Sequence, residues 1–473
     1  MRAGRLLTMT VSTAAAFTLV ALPAAVSAAQ PAAPPGNVDV SQWAHNESEE
    51  SIAVNPTNPD NIVIVSNVDY PQAGMFKAVS FDGGVNWTRS LIGDNDNLGD
   101  ACCDPSLAFD HYGNLFLAYL YNVENTVPVA LSTDGGLHFD VIATIAKPEK
   151  TNTPPNKERS LFRFVDQPTI VAGAGAVWMV FNAGGPVVAT GAPVTDLGVV
   201  GSFNPLEIVP GSNNCTYGDV AIGPSGQVMQ VCTLTESGQG GGKLLVNVDP
   251  DGLGPAGFGA RVSVTDTHVG GFDFIPPQPD RSIDAEPGLA WDRTGGPHNG
   301  RVYLVYTIEQ RNESDNTDIQ VRYSDDNGAS WSAPVRVNDD ATVNSQFLPK
   351  ISLDPTSGHL AVSWYDARND LGAGGPYDTD GVPNDDAQLF AAFSSDGTAF
   401  TPNRRVSLGT SNSHDAHNGI DYGDYSGLAF YGGLAHPAWA DNSNSTGDAN
   451  SPGENPDGTL HQLDVYTATV PGP

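Results

Sequence analysis

Between Asp378 and Asp386 the chain reads Asp-Thr-Asp-Gly-Val-Pro-Asn-Asp-Asp, with carboxylates clustered around a glycine. Oxygen donors spaced this way suit a hard divalent cation such as calcium, and Asp378, Asp380 and Asp385 are the candidate ligands. The glutamate that ends an EF-hand loop has no counterpart, so the segment reads either as a calcium-stabilised loop or as a plain acidic one. Asp94-Asn95-Asp96-Asn97 is a weaker cluster of the same kind. His414 and His417 share a polar loop, but no third ligand completes a zinc site. Cys215 and Cys232 flank one expected strand pair and are expected to bridge. Cys102 and Cys103 are adjacent, so they form a vicinal disulfide or stay free. Their spacing matches no thiolate metal site. None of these patterns requires a cofactor.

The elements that carry these residues must be short strands. The chain has 473 residues with 52 Gly and 36 Pro, while only 16% are charged. That mix favours an all-β fold with many tight turns. Residues 1–28 read as a signal peptide: Arg2 and Arg5 precede an apolar run from Met9 to about Val26, and Val26-Ser27-Ala28 is a small-residue cleavage site. Residues 29–36 are a Pro/Ala-rich leader, and 37–473 make one domain. No other apolar run is long enough to span a bilayer, so the expected location is extracellular. The formal charge of −33 becomes −35 without the two leader arginines. Such a chain repels nucleic acid and anionic membranes, since it has too few Lys and Arg for a basic patch. The acidity fits either simple solubility or cation-binding loops.

A long repeat organises the domain. A polar residue, a small residue or Pro, a short apolar strand, a turn and a second apolar strand recur seven times. The first large apolar residues are Ile52, Leu107, Ile170, Val220, Leu289, Ile351 and Leu428, spaced 50 to 77 residues apart. Those intervals are longer than the roughly 40–50 residues of familiar propeller repeats, which fits blades with enlarged loops. The expected fold is a seven-bladed β-propeller of four-stranded antiparallel blades, with six blades as the alternative. In the second repeat the strands fall near 106–109, 115–119, 127–131 and 139–145. The first two strands of each repeat are apolar on both faces, as strands buried between neighbouring blades should be. The seventh repeat lacks a fourth strand. Val38-Asp39-Val40-Ser41 resembles the segment before the sixth repeat, Val335-Arg336-Val337-Asn338. The N-terminal strand is therefore expected to close the last blade and remove an exposed edge.

A second signal lies between the third and fourth strands. Ser80-Phe-Asp82-Gly-Gly84-Val-Asn-Trp87, Ser132 to Phe139 and Ser324 to Trp331 fit Ser-x-Asp-x-Gly-x-x-aromatic, and Ser394 to Phe400 is one residue short. The Asp can satisfy turn amides, the Gly takes positive φ and the aromatic ring plugs the blade. This motif is the Asp box, and the chain resembles the sialidase superfamily over nearly its whole mature length. Known members include sialidases, xyloglucanases, exo-arabinanases and non-catalytic propellers. The Asp box is structural there and lies opposite the ligand face.

The resemblance implies that the first strands begin around a central axis on the ligand face. Those starts supply Glu49, Asp104, Gln167 with Asp166, Tyr217, Glu286, Leu348, and Tyr425 with Asp424. Tyr425-Ser426-Gly427-Leu428 resembles the stretch that carries the family's tyrosine nucleophile, and Glu286-Pro287 resembles the glutamate that serves as its base. A phenol with a pKa near 10 needs such a partner to attack at neutral pH. Asp104 is then a candidate general acid, by its axial position. Glu49, Asp166 and Tyr217 are candidate substrate contacts. Of the family's three substrate-binding arginines only the third has a counterpart, Arg368 in Trp364-Tyr365-Asp366-Ala367-Arg368. The expected function is a secreted glycoside hydrolase acting on an extracellular glycan or glycoprotein. The alternative, which the sparse arginine set favours, is a non-catalytic glycan- or protein-binding propeller.

Overall fold

Apolar strands flanked by Gly- and Asp-rich turns assemble into seven four-stranded antiparallel sheets. The computed structural model describes Met1 and residues 36–43, 45–69, 74–93, 96–121, 125–146, 165–236, 238–312, 314–447 and 462–473. The expected signal peptide and most of the leader, together with Asp94 and Asn95, lie outside the described residues, as does the side chain of Tyr217. Within each blade the strands are lettered A to D from the axis outward. Blade 1 comprises Glu47–Val54, Ile62–Val68, Met75–Ser80 and Thr88–Ile92. Blade 2 comprises Ala101–Phe109, Leu115–Tyr121, Thr126–Ser132 and Asp140–Ala146. The A strands of blades 3 to 7 are Asp166–Gly173, Cys215–Ile222, Gly288–Trp291, Gln346–Leu353 and Gly427–Tyr431. Consecutive A strands touch one another, and the last touches the first, so the seven sheets form a closed ring.

Closure depends on the chain's start. Asn37–Asp39 pairs antiparallel with Asp464–Ala468 as the outer strand of blade 7. Ser41 secures the junction: its Oγ donates to Asp464 Oδ1 at 3.0 Å and accepts from Val465 N at 2.8 Å. The ring thus joins its two ends by main-chain hydrogen bonds, as the sequence analysis expected.

Burial follows strand position. In blade 2, strand B is buried from Leu115 to Leu120, whereas strand D alternates between exposed and half-buried residues. Trp178, Trp291, Trp364 and Trp439 are all core residues. In three blades the residue before the apolar anchor faces the next blade. Ser51 Oγ accepts from Leu107 N at 2.9 Å, Ser106 Oγ from Ile170 N at 3.0 Å, and Asp219 Oδ2 from Leu289 N at 2.6 Å. These bonds stitch adjacent A strands that share no ladder, and so satisfy backbone donors that the channel would otherwise strand.

The Ser-x-Asp turns share one hydrogen-bond pattern. Ser80 Oγ donates to Asp82 Oδ1 at 2.9 Å and accepts from Gly84 N at 2.9 Å, while Asp82 Oδ1 also accepts from Asn86 N at 2.9 Å. The turns at Ser132 and Ser324 repeat it, and that at Ser394 is a shortened version. Since strands alternate in direction, these C–D turns lie at the same end of the ring as the A–B turns, and the starts of the A strands lie at the other.

Candidate active site

The A strands begin with an irregularity that the repeat pattern did not announce. Their pairing with strand B slips between Ser48 and Ser51, Cys103 and Ser106, Asp166 and Thr169, Thr216 and Gly218, and Phe347 and Lys350. These are β-bulges, which insert a residue and re-aim its side chain. Non-glycine residues at the strand starts adopt left-handed backbone: Glu49 (φ 60°), Asp104 (φ 54°), Gln167 (φ 47°), Glu286 (φ 39°) and Leu348 (φ 49°). Each such conformation costs on the order of 1–3 kcal/mol, a strain that gathers at functional sites.

Three blades bring carboxylates together here. Asn67, at the end of strand B of blade 1, donates through Nδ2 to Glu49 and accepts the Asp104 backbone N–H on Oδ1 at 2.9 Å. Asp104 Oδ2 in turn accepts Gln167 N at 2.9 Å. Glu49 Oε1 accepts Asp424 N at 3.0 Å from the segment entering blade 7. Gly423 makes that approach possible, because a Cβ there would sit 2.3 Å from Glu49 Cγ.

A guanidinium crosses the mouth to this cluster. A two-stranded hairpin between blades 4 and 5, Asp273–Ile275 with Gln278–Ile283, leans over the axis. Asp421 pins it by accepting the N–H groups of Asp280 and Arg281, both at 2.8 Å. Gln278 adds bonds to Gly423 O and from Tyr422 N, each at 2.9 Å. Arg281 then grips Asp424 with two donors, Nε to Oδ1 at 2.7 Å and Nη2 to Oδ2. Gln167 Nε2 adds a third bond to Asp424 at 3.1 Å. The ion pair, Asp166, Asn182, Thr216 and Asp284 line a cavity of about 140 Å³. Phe272 stands at its edge, 59% exposed.

Burial sets the protonation of the acids. It raises Glu49 to about 7, helped by repulsion from Asp424 and opposed by Arg281. Asp104 rises to about 7, first by burial and then by the charge of Glu49. Asp166 keeps accessible surface in the cavity wall, yet the protein around it, and then Asp104, push it up to about 8. Asp284 reaches about 7 by burial. Desolvation and like charges disfavour the ionised forms. The cluster therefore holds protons near neutral pH beside one fixed ion pair.

Most of the residues expected from sequence converge on this mouth, but not all. Glu49, Asp104 and Asp166 lie in the cluster. Glu286 is buried, and its N–H binds Asp284 Oδ1 at 2.6 Å. Tyr425 is buried at the wall of the channel below, where burial and the charges of Asp104, Glu49, Asp424 and Glu50 raise its phenol well above the usual value. Tyr217 lies in strand A of blade 4. Arg368, the expected substrate contact, lines neither the mouth cavity nor the channel below it. Its guanidinium binds Asp366 Oδ2 at 2.7 Å, Asp339 Oδ1 at 2.8 Å and Asn403 Oδ1 at 2.8 Å, and it stacks over Phe390. The carboxylates of its own neighbourhood consume it. The guanidinium at the mouth is Arg281 instead, which no local motif marks.

The acidic loop also differs from expectation. Asp378, Asp380 and Asp385 do not form one set of candidate ligands. Asp378 groups with Asp370 and Asp386, while Asp380 and Asp385 group with Asp386. Backbone amides of Gly374 and Gly381 occupy Asp378, and those of Asp385 and Asp386 occupy Asp370 Oδ2. Burial raises Asp385 to about 7 and Asp386 to about 6. Cys215 and Cys232 form the expected disulfide, and Cys102 and Cys103 form a vicinal one.

No protein-family model matches the sequence, and no curated relative does. Similar solved structures exist at low identity. A protein of unknown function from Dyadobacter fermentans is 12% identical, with 93% of this chain and 99% of that chain covered, at TM-score 0.47. The GH93 α-L-arabinofuranosidase of Fusarium graminearum is 13% identical, with 69% and 92% covered, at TM-score 0.44. A mutant of Trypanosoma rangeli sialidase is 10% identical, with 93% and 60% covered, at TM-score 0.42.

Proposed function

We propose that this protein is a secreted glycoside hydrolase that removes a terminal sugar from an extracellular glycan at the axial mouth. The observation that carries the reading is the group of carboxyls titrating near neutrality, the buried Glu49 and Asp104 and the accessible Asp166, beside the Arg281–Asp424 pair. Perturbed acids converging on a cleft are the usual equipment of acid–base catalysis. The cavity is small, which suits one terminal ring better than the interior of a chain. Phe272 offers its exposed face to the C–H side of a sugar, and Asp166, Asp284 and Gln167 offer hydrogen bonds to hydroxyls. The only guanidinium at the mouth among the described residues is already bound to Asp424, so a neutral sugar fits better than an anionic one.

In this mechanism Asp104 donates its proton to the glycosidic oxygen as the bond to the anomeric carbon breaks. Tyr425 Oη attacks that carbon and passes its proton to Glu286. Water, with Asp104 as base, then hydrolyses the glycosyl–tyrosine bond, an aryl glycoside, and the departing Tyr425 oxygen takes its proton back from Glu286. The phenol stays neutral until attack, because its surroundings disfavour the phenolate. A turnover screen on neutral aryl glycosides and polysaccharides, sialosides included, tests the reading. Hydrolysis by the parent that is lost in both Asp104→Asn and Tyr425→Phe supports it. Hydrolysis lost only in Asp104→Asn removes Tyr425 from the chemistry. Glycan binding without turnover favours the second reading, a non-catalytic lectin-like propeller, for which the Arg281–Asp424 closure of the mouth speaks.

A further inference from the structure

The same seven A strands that begin at the acidic mouth end at a second opening of opposite character. All seven blades contribute to a cavity of about 570 Å³ there, on the face of the A–B and C–D turns. This lies within the roughly 300–1,000 Å³ typical of small-molecule sites. Apolar side chains line it, among them Pro56, Leu107, Phe109, Leu353, Pro355 and Tyr431, together with polar surface in nearly equal measure. Among the described residues its one Lys or Arg is Arg293, from the turn that follows strand A of blade 5.

Arg293 is held in place but not neutralised. Its Nη2 donates to Ala172 O at 3.0 Å. Its Nη1 lies against Gly173, where a Cβ would come within 1.9 Å, so the glycine leaves the space that the guanidinium fills. Among the described residues Arg281, Arg301, Arg336 and Arg368 pair with carboxylates, whereas Arg293, like several other arginines, does not. Asp110 also lines the cavity, but its oxygens accept Tyr112 N, Asn114 N and Asn114 Nδ2 within its own turn. The protein packed around Arg293 lowers its pKa, although the side chain keeps accessible surface. That accessible surface lets an anion reach the guanidinium from the cavity.

We propose that this second mouth binds a compact apolar carboxylate, its carboxyl group on Arg293 and its hydrocarbon body against the proline and aromatic walls. The site is independent of the glycan reading and sits at the other end of the channel. A bidentate guanidinium–carboxylate contact fixes the head, and the apolar walls reward a tail that a sugar or inorganic anion lacks.

Calorimetric titration of the full chain with octanoate and with benzoate, at 0.15 M NaCl to screen the chain's net negative charge, tests the proposal. Saturable 1:1 binding is expected for at least one acid, with 1-octanol or benzyl alcohol at least about tenfold weaker. Arg293→Met is expected to weaken the acid at least about tenfold while leaving any glycan turnover unchanged. Gly173→Ala, which displaces the guanidinium without removing it, is expected to weaken it as well. Near-UV circular dichroism confirms that each variant is folded. The proposal is overturned by no binding of either acid at millimolar concentration, by equal affinity in the parent and Arg293→Met, or by phosphate binding where neither acid does.

Discussion

Replacing Glu50 by glutamine changes how the protein's stability depends on pH, by an amount the structure sets. Glu50 follows the bulged Glu49 in strand A of blade 1 and faces the channel, 1% exposed. Neither carboxyl oxygen has a hydrogen-bond partner, and burial pushes its pKa from 4.5 to about 8. A raised acid stabilises the fold fully below its unfolded pKa. That contribution is lost as pH rises through the folded value. For Glu50 the window runs from about pH 4.5 to 8. At about 1.4 kcal/mol per unit, the parent loses about 5 kcal/mol across it through this one group. Glutamine has nearly the same shape and no titration, so it loses none. Its amide also lacks partners, but that cost is the same at every pH and cancels when slopes are compared. With about 440 residues unfolding at roughly 2 cal/mol/K each, 5 kcal/mol corresponds to about 5 °C. Scanning calorimetry of parent and Glu50→Gln at pH 4.5 and pH 8.5 measures the difference. The Tm of the variant relative to the parent should rise by about 5 °C between the two pH values. Parallel Tm curves would refute the reasoning, since they would mean that Glu50 ionises in the folded protein as it does in water.

Two further outcomes follow from the same geometry. If Asp104 delivers the proton, kcat/KM for a cleaved glycoside should fall tenfold per pH unit above about pH 7, the value to which burial raises it; an alkaline limb displaced below pH 5 would exclude that role. Arg368→Met strands Asp366, which is fully buried, and should cost about 3–5 kcal/mol of stability while leaving turnover per folded molecule unchanged. Loss of turnover with a native near-UV spectrum would return Arg368 to the substrate site.

The ring was legible because it is written in a period. Seven apolar anchors, strands A and B apolar on both faces, and a Val-rich segment near residue 38 that repeats the start of other blades require only local pattern. Interior and edge strands bury different faces, and that difference is recorded residue by residue. The Ser-x-Asp turns were legible for the same reason, since every partner of Asp82 lies within four residues of it. Cys215 and Cys232 were placed by the strand pair they flank. Glu49 and Asp104 were picked out because they share one repeat position with Gln167, and Asp166 because it stands just before Gln167.

What the pattern left out was decided by contacts between distant parts of the chain. Glu49, Asp104 and Gln167 are not glycines, so nothing local marks their left-handed backbone; the bulges exist because neighbouring blades hold them there. Arg281 and Asp424 are 143 residues apart, and neither looks special in its own loop. The pairing of Arg368 with Asp366 is local, but its bond to Asp339 is supplied by a loop 29 residues away. The sequence determined that this chain closes seven blades around an axis, because periodic burial is a property of each strand. Only the tertiary structure decided which charges meet at each end of that axis, because protonation and pairing depend on how loops from different blades exclude water together.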